Sequence, residues 1–189
     1  MDQLLDILNE INSDVDYEVC DTLIDDGIFS SFDIVSLVGE LNDAFDIDIT
    51  AMALQALAPY CGSQNALSVG ISPGEISRTV DRALARLVMK ENCTFCSYGA
   101  ENTESTAQVI IALCSLGIDP RTDERFMRGG KNIVDGMQSF LLPGSVYRHS
   151  ANDSQGNLMS TEQAMLAHIA LYKADNKLGR LYDFSKSKA

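Results

Sequence analysis

The chain has 189 residues, a net charge of −13 and a hydrophobic content of 46%, enough to bury a real core rather than stay disordered. Phosphate binding needs a basic face, so this charge argues against a nucleic-acid partner. No apolar run is long enough to span a membrane, the start Met1-Asp2-Gln3 has no targeting segment, and five unevenly spaced cysteines do not make a secreted disulfide framework. Cytoplasm is the expected location.

The charge is unevenly spread. Residues 1–49 hold 14 Asp and Glu and no Lys or Arg, whereas residues 50–189 hold 13 acids and 14 bases. The step predicts two segments of different origin, 1–49 and 50–189, joined at Ile49–Thr50. In the first, Leu4, Ile7, Leu8 and Ile11 fall at helical spacing. A polar loop punctuated by Asp25-Asp26-Gly27 follows. A second stripe then runs through Ile34, Leu37, Val38, Leu41 and Phe45, with Ser30 and Ser31 at its start, where free N–H groups want a side-chain oxygen.

The stretch Asp25-Asp26-Gly27-Ile28-Phe29-Ser30-Ser31-Phe32-Asp33-Ile34-Val35, with Leu41 to Ile49 after it, resembles the prosthetic-group region of acyl and aminoacyl carrier proteins. The resemblance covers the first two helices of a four-helix bundle. It implies a phosphopantetheine arm on Ser31, installed by a phosphopantetheinyl transferase and loaded by acyl- or aminoacyl-transferring enzymes. A helix N-terminus would help hold the attached phosphate. Asp33 and Glu40 are expected on the solvated face, where relatives use such acids to dock basic enzymes; a strongly acidic surface speeds that encounter.

From Thr50 the pattern changes. Thr50 to Leu57, Thr106 to Leu113 and Thr161 to His168 each open a predicted helix, with the threonines 56 and 55 residues apart. Ala56, Ala112 and Ala167 fall in register, as do Leu54, Ile110 and Met165. This is an internal repeat. Between the copies, Ile76, Val80, Ala83, Leu84 and Leu87 make a stripe opposed by Arg78, Arg82 and Arg86. Ile133, Val134, Met137 and Phe140 make a less regular one, with Gly129-Gly130 expected to interrupt it. Thr103 or Ser105 is the expected cap of the middle repeat helix and Ser160 that of the last, with loops over Asn92–Asn102 and Leu141–Met159.

The stretches Asn102 to Ile110 and Met159 to Ala164 resemble the α/α-toroid repeats of the prenyltransferase and squalene-cyclase type. The resemblance covers nearly all of residues 50–189 and implies about two and a half helical hairpins. The chain has no Trp and no Asp-rich segment, so the cyclase chemistry of those relatives is not expected. Glu91-Asn92-Cys93 with His149 only loosely mimics their zinc ligands. Cys93-Thr94-Phe95-Cys96 lacks two further metal ligands, Cys114 reads as packing, and Cys20 and Cys61 have no evident partner. His168 stands where Leu57 and Leu113 stand in the other copies. In relatives, loops like that of His149 face the mouth of the toroid.

These readings predict an all-α protein: a truncated carrier-like helical pair followed by an incomplete α/α-hairpin array. The expected function is a carrier with its thioester arm on Ser31, itself catalysing nothing and binding no metal. The alternative is a non-catalytic ligand- or protein-binding module, within a natural, truncated or chimeric fusion. A binding module requires the loops at Asn92–Asn102 and Leu141–Met159 to gather at one end.

Overall fold

The computed structural model of the protein describes residues 2–17, 19–20, 28–29, 33, 37, 47–61, 72–97 and 99–183. The chain divides into two compact units, Met1–Leu87 and Val88–Ala189.

In the first unit, α1 (Asp2–Ile11) forms on the apolar stripe read from the sequence, with Ile7 buried. Its last carbonyls have no partner within the helix. The Tyr17 hydroxyl stands 3.0 Å from the Leu8 carbonyl oxygen and 2.7 Å from that of Asn12, and the Tyr17 ring meets Phe29. The next described helix, α2 (Ile47–Leu57), passes into a 3₁₀ turn at Ala58–Tyr60. It runs unbroken through Ile49–Thr50, so the step in charge lies inside a helix, while the division into compact units falls at Leu87–Val88. Helix α3 (Pro73–Arg86) starts with a capping box. Ser72 accepts from the Glu75 backbone, Glu75 accepts from the Ser72 backbone, and Pro73 opens the first turn. Its buried face carries Ile76, Val80, Ala83 and Leu84, and Arg78, Arg82 and Arg86 are exposed.

The second unit alternates hairpins with helices. Strands β1 (Phe95–Ser97) and β2 (Ala100–Asn102) pair antiparallel and lead into α4 (Thr103–Ser115). Strands β3 (Met127–Arg128) and β4 (Lys131–Asn132) lead into the short α5 (Ile133–Gln138). Strands β5 (Leu141–Leu142) and β6 (Val146–Tyr147) precede α6 (Leu158–Asp175). Three antiparallel two-stranded sheets correct the expectation of an all-α protein: the fold is mixed α and β. The strands are two or three residues long, too short for the alternation that marks a strand in sequence.

Two local expectations change with it. Gly129 and Gly130 do not interrupt a helix; both have positive φ, +57° and +78°, and form the two-residue turn joining β3 to β4. The caps of α4, α5 and α6 are asparagines, not hydroxyl residues. Asn102 accepts from the Ser105 N–H, Asn132 from Val134 and Asp135, and Asn157 from Ser160. Ser105 and Ser160, expected as caps, supply the N–H that is capped.

The repeated threonines join hairpin to helix. Thr106 Oγ1 accepts from the Phe95 N–H at 3.0 Å and donates to the Asn102 carbonyl at 2.8 Å. Thr161 Oγ1 accepts from the Tyr147 N–H at 2.9 Å and donates to the Asn157 carbonyl at 2.7 Å. One hydroxyl thus ties the incoming hairpin to the helix in both copies.

Helix α4 is the centre of this unit, with eleven of its thirteen residues buried. Val109, Ile110, Ile111 and Leu113 fill the core with Phe95, Phe126, Ile133, Met137 and Phe140. Helices α4 and α6 pack side by side in the same direction. Glu104 meets Ser160 at their N-terminal ends, Gln108 meets Gln163 further along, and Arg121, beyond α4, meets Asp175 at the end of α6.

Candidate functional site

The N-terminal ends of α4 and α6 gather the loops between them. The Thr103 N–H donates to the His149 carbonyl at 3.0 Å, and its hydroxyl donates to the Arg148 carbonyl at 2.7 Å. A single β-bridge joins Asn102 to Ser150. These bonds bring the segment after β6 against the hairpin end that starts α4. Asn102–Thr103 and Arg148–Ser150 therefore meet at one end of the helix pair.

At this junction Glu104 holds two partners. Its Oε1 accepts from the Ser160 hydroxyl at 2.6 Å, and its Oε2 lies 2.8 Å from His149 Nδ1. The carboxylate sits in the first turn of α4, where the helix dipole favours negative charge. Its side chain is 15% exposed against 49% for His149, so a mostly buried acid orients a solvent-facing ring. With Nδ1 donating to Glu104, a neutral imidazole keeps its acceptor lone pair on Nε2.

His149 borders a cavity of about 450 Å³, lined also by Asp153, Ser154, Gln155, Gly156 and Asn157. The Ser150 backbone N–H and hydroxyl both donate to Asp153 Oδ2, at 2.8 and 3.0 Å. Those bonds hold the Asp153 carboxyl below the usual carboxylate range, so it is ionised at neutral pH. The lining side chains are one carboxylate, one imidazole, one hydroxyl and two amides. Such a set fits a ligand rich in hydrogen-bond donors.

A serine–histidine pair at this junction would have Ser160 handing its proton to the His149 imidazole. Ser160 is fully buried and donates to Glu104 instead. The carboxylate, not the imidazole, is the middle member of this trio, which orients the ring and activates no hydroxyl.

A second cavity, of about 430 Å³, lies at the opposite ends of α4 and α6 and includes Cys114, Arg121, Lys173, Asp175 and Arg180. Arg121 there pairs with both Asp119 and Asp175. Burial pushes the Cys114 thiol up to about 12, so it stays protonated and packs as a small apolar group.

Of the carrier-type residues, Ser31 and Glu40 lie outside the described residues. Asp33 is helical and half-buried. His149 lies at the loop junction. His168 is occupied on the flank of α6, where its Nε2 is 2.9 Å from the Tyr147 hydroxyl. Cys93 is fully buried, with its thiol within reach of the Arg128 and Lys131 carbonyls, and Cys96 sits in β1. Among the described residues, no group of three or more His, Cys, Asp or Glu is placed to hold a metal ion. None of the described helices is long and apolar enough to cross a membrane.

Sequence reasoning missed Glu104 and Asp153. The repeat carries no signal for Glu104: it lies two residues before Thr106, where the other copy has Met159. Comparison with protein families, curated proteins and solved structures returns no match.

Proposed function

We propose that the second unit is a non-catalytic binding module whose ligand is a polar, donor-rich small molecule or peptide end. One observation carries this reading: Glu104, on α4, fixes an imidazole from the loop before α6 at the edge of a polar cavity. Orienting a ring through a buried carboxylate costs conformational freedom, and that cost is recovered when the ring's other nitrogen meets a ligand in a prearranged position. Amide chemical shifts of the full chain, titrated with a panel of sugars, polyols and short peptides, test it. Perturbations should concentrate at residues 149–157 and vanish in His149→Ala. A panel that moves no resonance there, or moves them equally in the variant, would sink the reading.

We further propose that the acidic front segment is a carrier bearing phosphopantetheine on Ser31. The sequence from Asp25 to Val35 favours this reading, as do two neighbouring features: Phe29 is buried against Tyr17, and Asp33 and Leu37 are both helical. Its partners would be a phosphopantetheinyl transferase and acyl- or aminoacyl-transferring enzymes, met through acids including Asp33 and Glu40. Intact mass after incubation with coenzyme A and a broad-specificity transferase should rise by one phosphopantetheine, and should not rise in Ser31→Ala. An unchanged mass in a cooperatively folded wild-type chain rules the carrier out.

A further inference from the structure

Helix α6 carries two apolar faces and buries one. Ala164, Ala167, Ala170 and Leu171 are buried, while Leu158, Met165, Ile169 and Tyr172 are 86%, 57%, 40% and 62% exposed. At about 100° per residue those four fall within about 60° of arc, one stripe along the outer side of the helix. A helix apolar all round is normally covered all round. Its counterpart α4 is so covered: Ile110, in register with Met165, is fully buried. Helix α6 thus presents an interior composition to solvent.

The charges beside the stripe indicate what covers it. Glu162 and Lys173 stand where the other copy has Ala107 and Ile118. Both lie on the same flank, about 60° and 80° round from Met165 by the same helical spacing. Their midpoint along the helix falls between Ala167 and His168, close to the middle of the stripe. Two α6 helices facing each other antiparallel about a twofold axis at that midpoint would bring equal flanks together. Met165 would then face the partner's Ile169, and Glu162 would face the partner's Lys173, twice by symmetry. A parallel pairing would place these flanks on opposite sides of the seam, so neither Glu162 nor Lys173 would meet an opposite charge.

We propose that the occupant of this face is a second copy of the chain, docked through α6 in an antiparallel, isologous interface. The apolar stripe supplies the attraction and the Glu162–Lys173 pairs select the direction. This interface lies on the outer flank of α6, apart from the His149 cavity, and does not depend on the ligand reading.

Sedimentation velocity on the full chain over about 1 to 100 μM, the range of a modest protein–protein affinity, tests the proposal. The wild type should dimerise with rising concentration, and Met165→Glu should remain monomeric with an unchanged circular dichroism spectrum. Glu162→Lys and Lys173→Glu should each weaken the dimer about tenfold by creating like-charge contacts, and the double reversal should restore it. A wild-type chain that stays monomeric overturns the proposal in favour of a partner of different sequence. Self-association that ignores Met165→Glu, or a double reversal that restores nothing, overturns it equally.

Discussion

Gly136 marks the tightest approach in the second unit. A Cβ there would lie 2.0 Å from the carbonyl oxygen of Cys93 and 2.5 Å from its carbonyl carbon. Backbone cannot rotate away as a side chain can, so Gly136→Ala should destabilise by about 1–3 kcal/mol; the urea midpoint of the folded chain reads this. The glycine stood in plain view in the sequence, but its neighbour is 43 positions away, and no local pattern announces such a contact. His168 gives a pH signature. Burial lowers its pKa below the ordinary 6.5, so as pH falls through that value the unfolded chain takes the proton first. Stability is therefore full above about 6.5 and declines below it until the folded ring also protonates. The melting temperature should fall more between pH 7 and 5.5 in the wild type than in His168→Gln, which can still reach the Tyr147 hydroxyl. Equal slopes would show that this ring contributes nothing to the acid response. Cys114 should resist alkylation in the native chain at pH 8, because its thiol titrates near 12; peptide mass mapping after brief iodoacetamide treatment checks this.

At the scale of elements, helices were legible where a stripe was long. The α3 stripe follows from residues within a few positions of one another, whereas its equally local Ser72–Glu75 capping box was not read from the sequence. The hairpins were not legible, since each strand is two or three residues long and its glycine turn is also a loop signal. The caps were misread by one to three positions for a definite reason. Asn102 and Asn157 stand 55 residues apart, the spacing of Thr106 and Thr161, so the repeat itself carried the cap, beside hydroxyl residues that also suit one. The threonines proved to be joints rather than helix starts. Thr106→Val should cost about 1–3 kcal/mol, because it leaves the Phe95 N–H buried without its acceptor. Thr106→Ser should retain most of the stability, and thermal melts of the pair separate the lost hydrogen bond from lost packing. The candidate site was half legible: His149 was singled out from its loop, whereas Glu104 and Asp153 act through bonds across 45 positions and across a turn of three.

For the whole molecule, charge and compactness divide the chain at different places. The step at Ile49–Thr50 lies within α2, while the compact units meet at Leu87–Val88. Net charge describes a surface and its encounters, not the path of the backbone, so a helix can pass from an acidic run to a neutral one without a break. Residues 88–189 hold their own core around α4. Expressed alone, this segment should melt in one cooperative transition, seen by circular dichroism; a broad, non-cooperative melt would show that the second unit needs the first. The paired threonine joints carry one more consequence. Between Phe95 and Thr106 lie ten residues, and between Tyr147 and Thr161 lie thirteen. The same two-bond joint closes both spans, so it accommodates a difference of three residues between them. The hairpin and the helix behind it are held as one piece, and the span between the joints is free to differ in length. In the last copy that span holds His149 and Asp153, so the candidate pocket lies in the part of the unit whose length the joint does not fix.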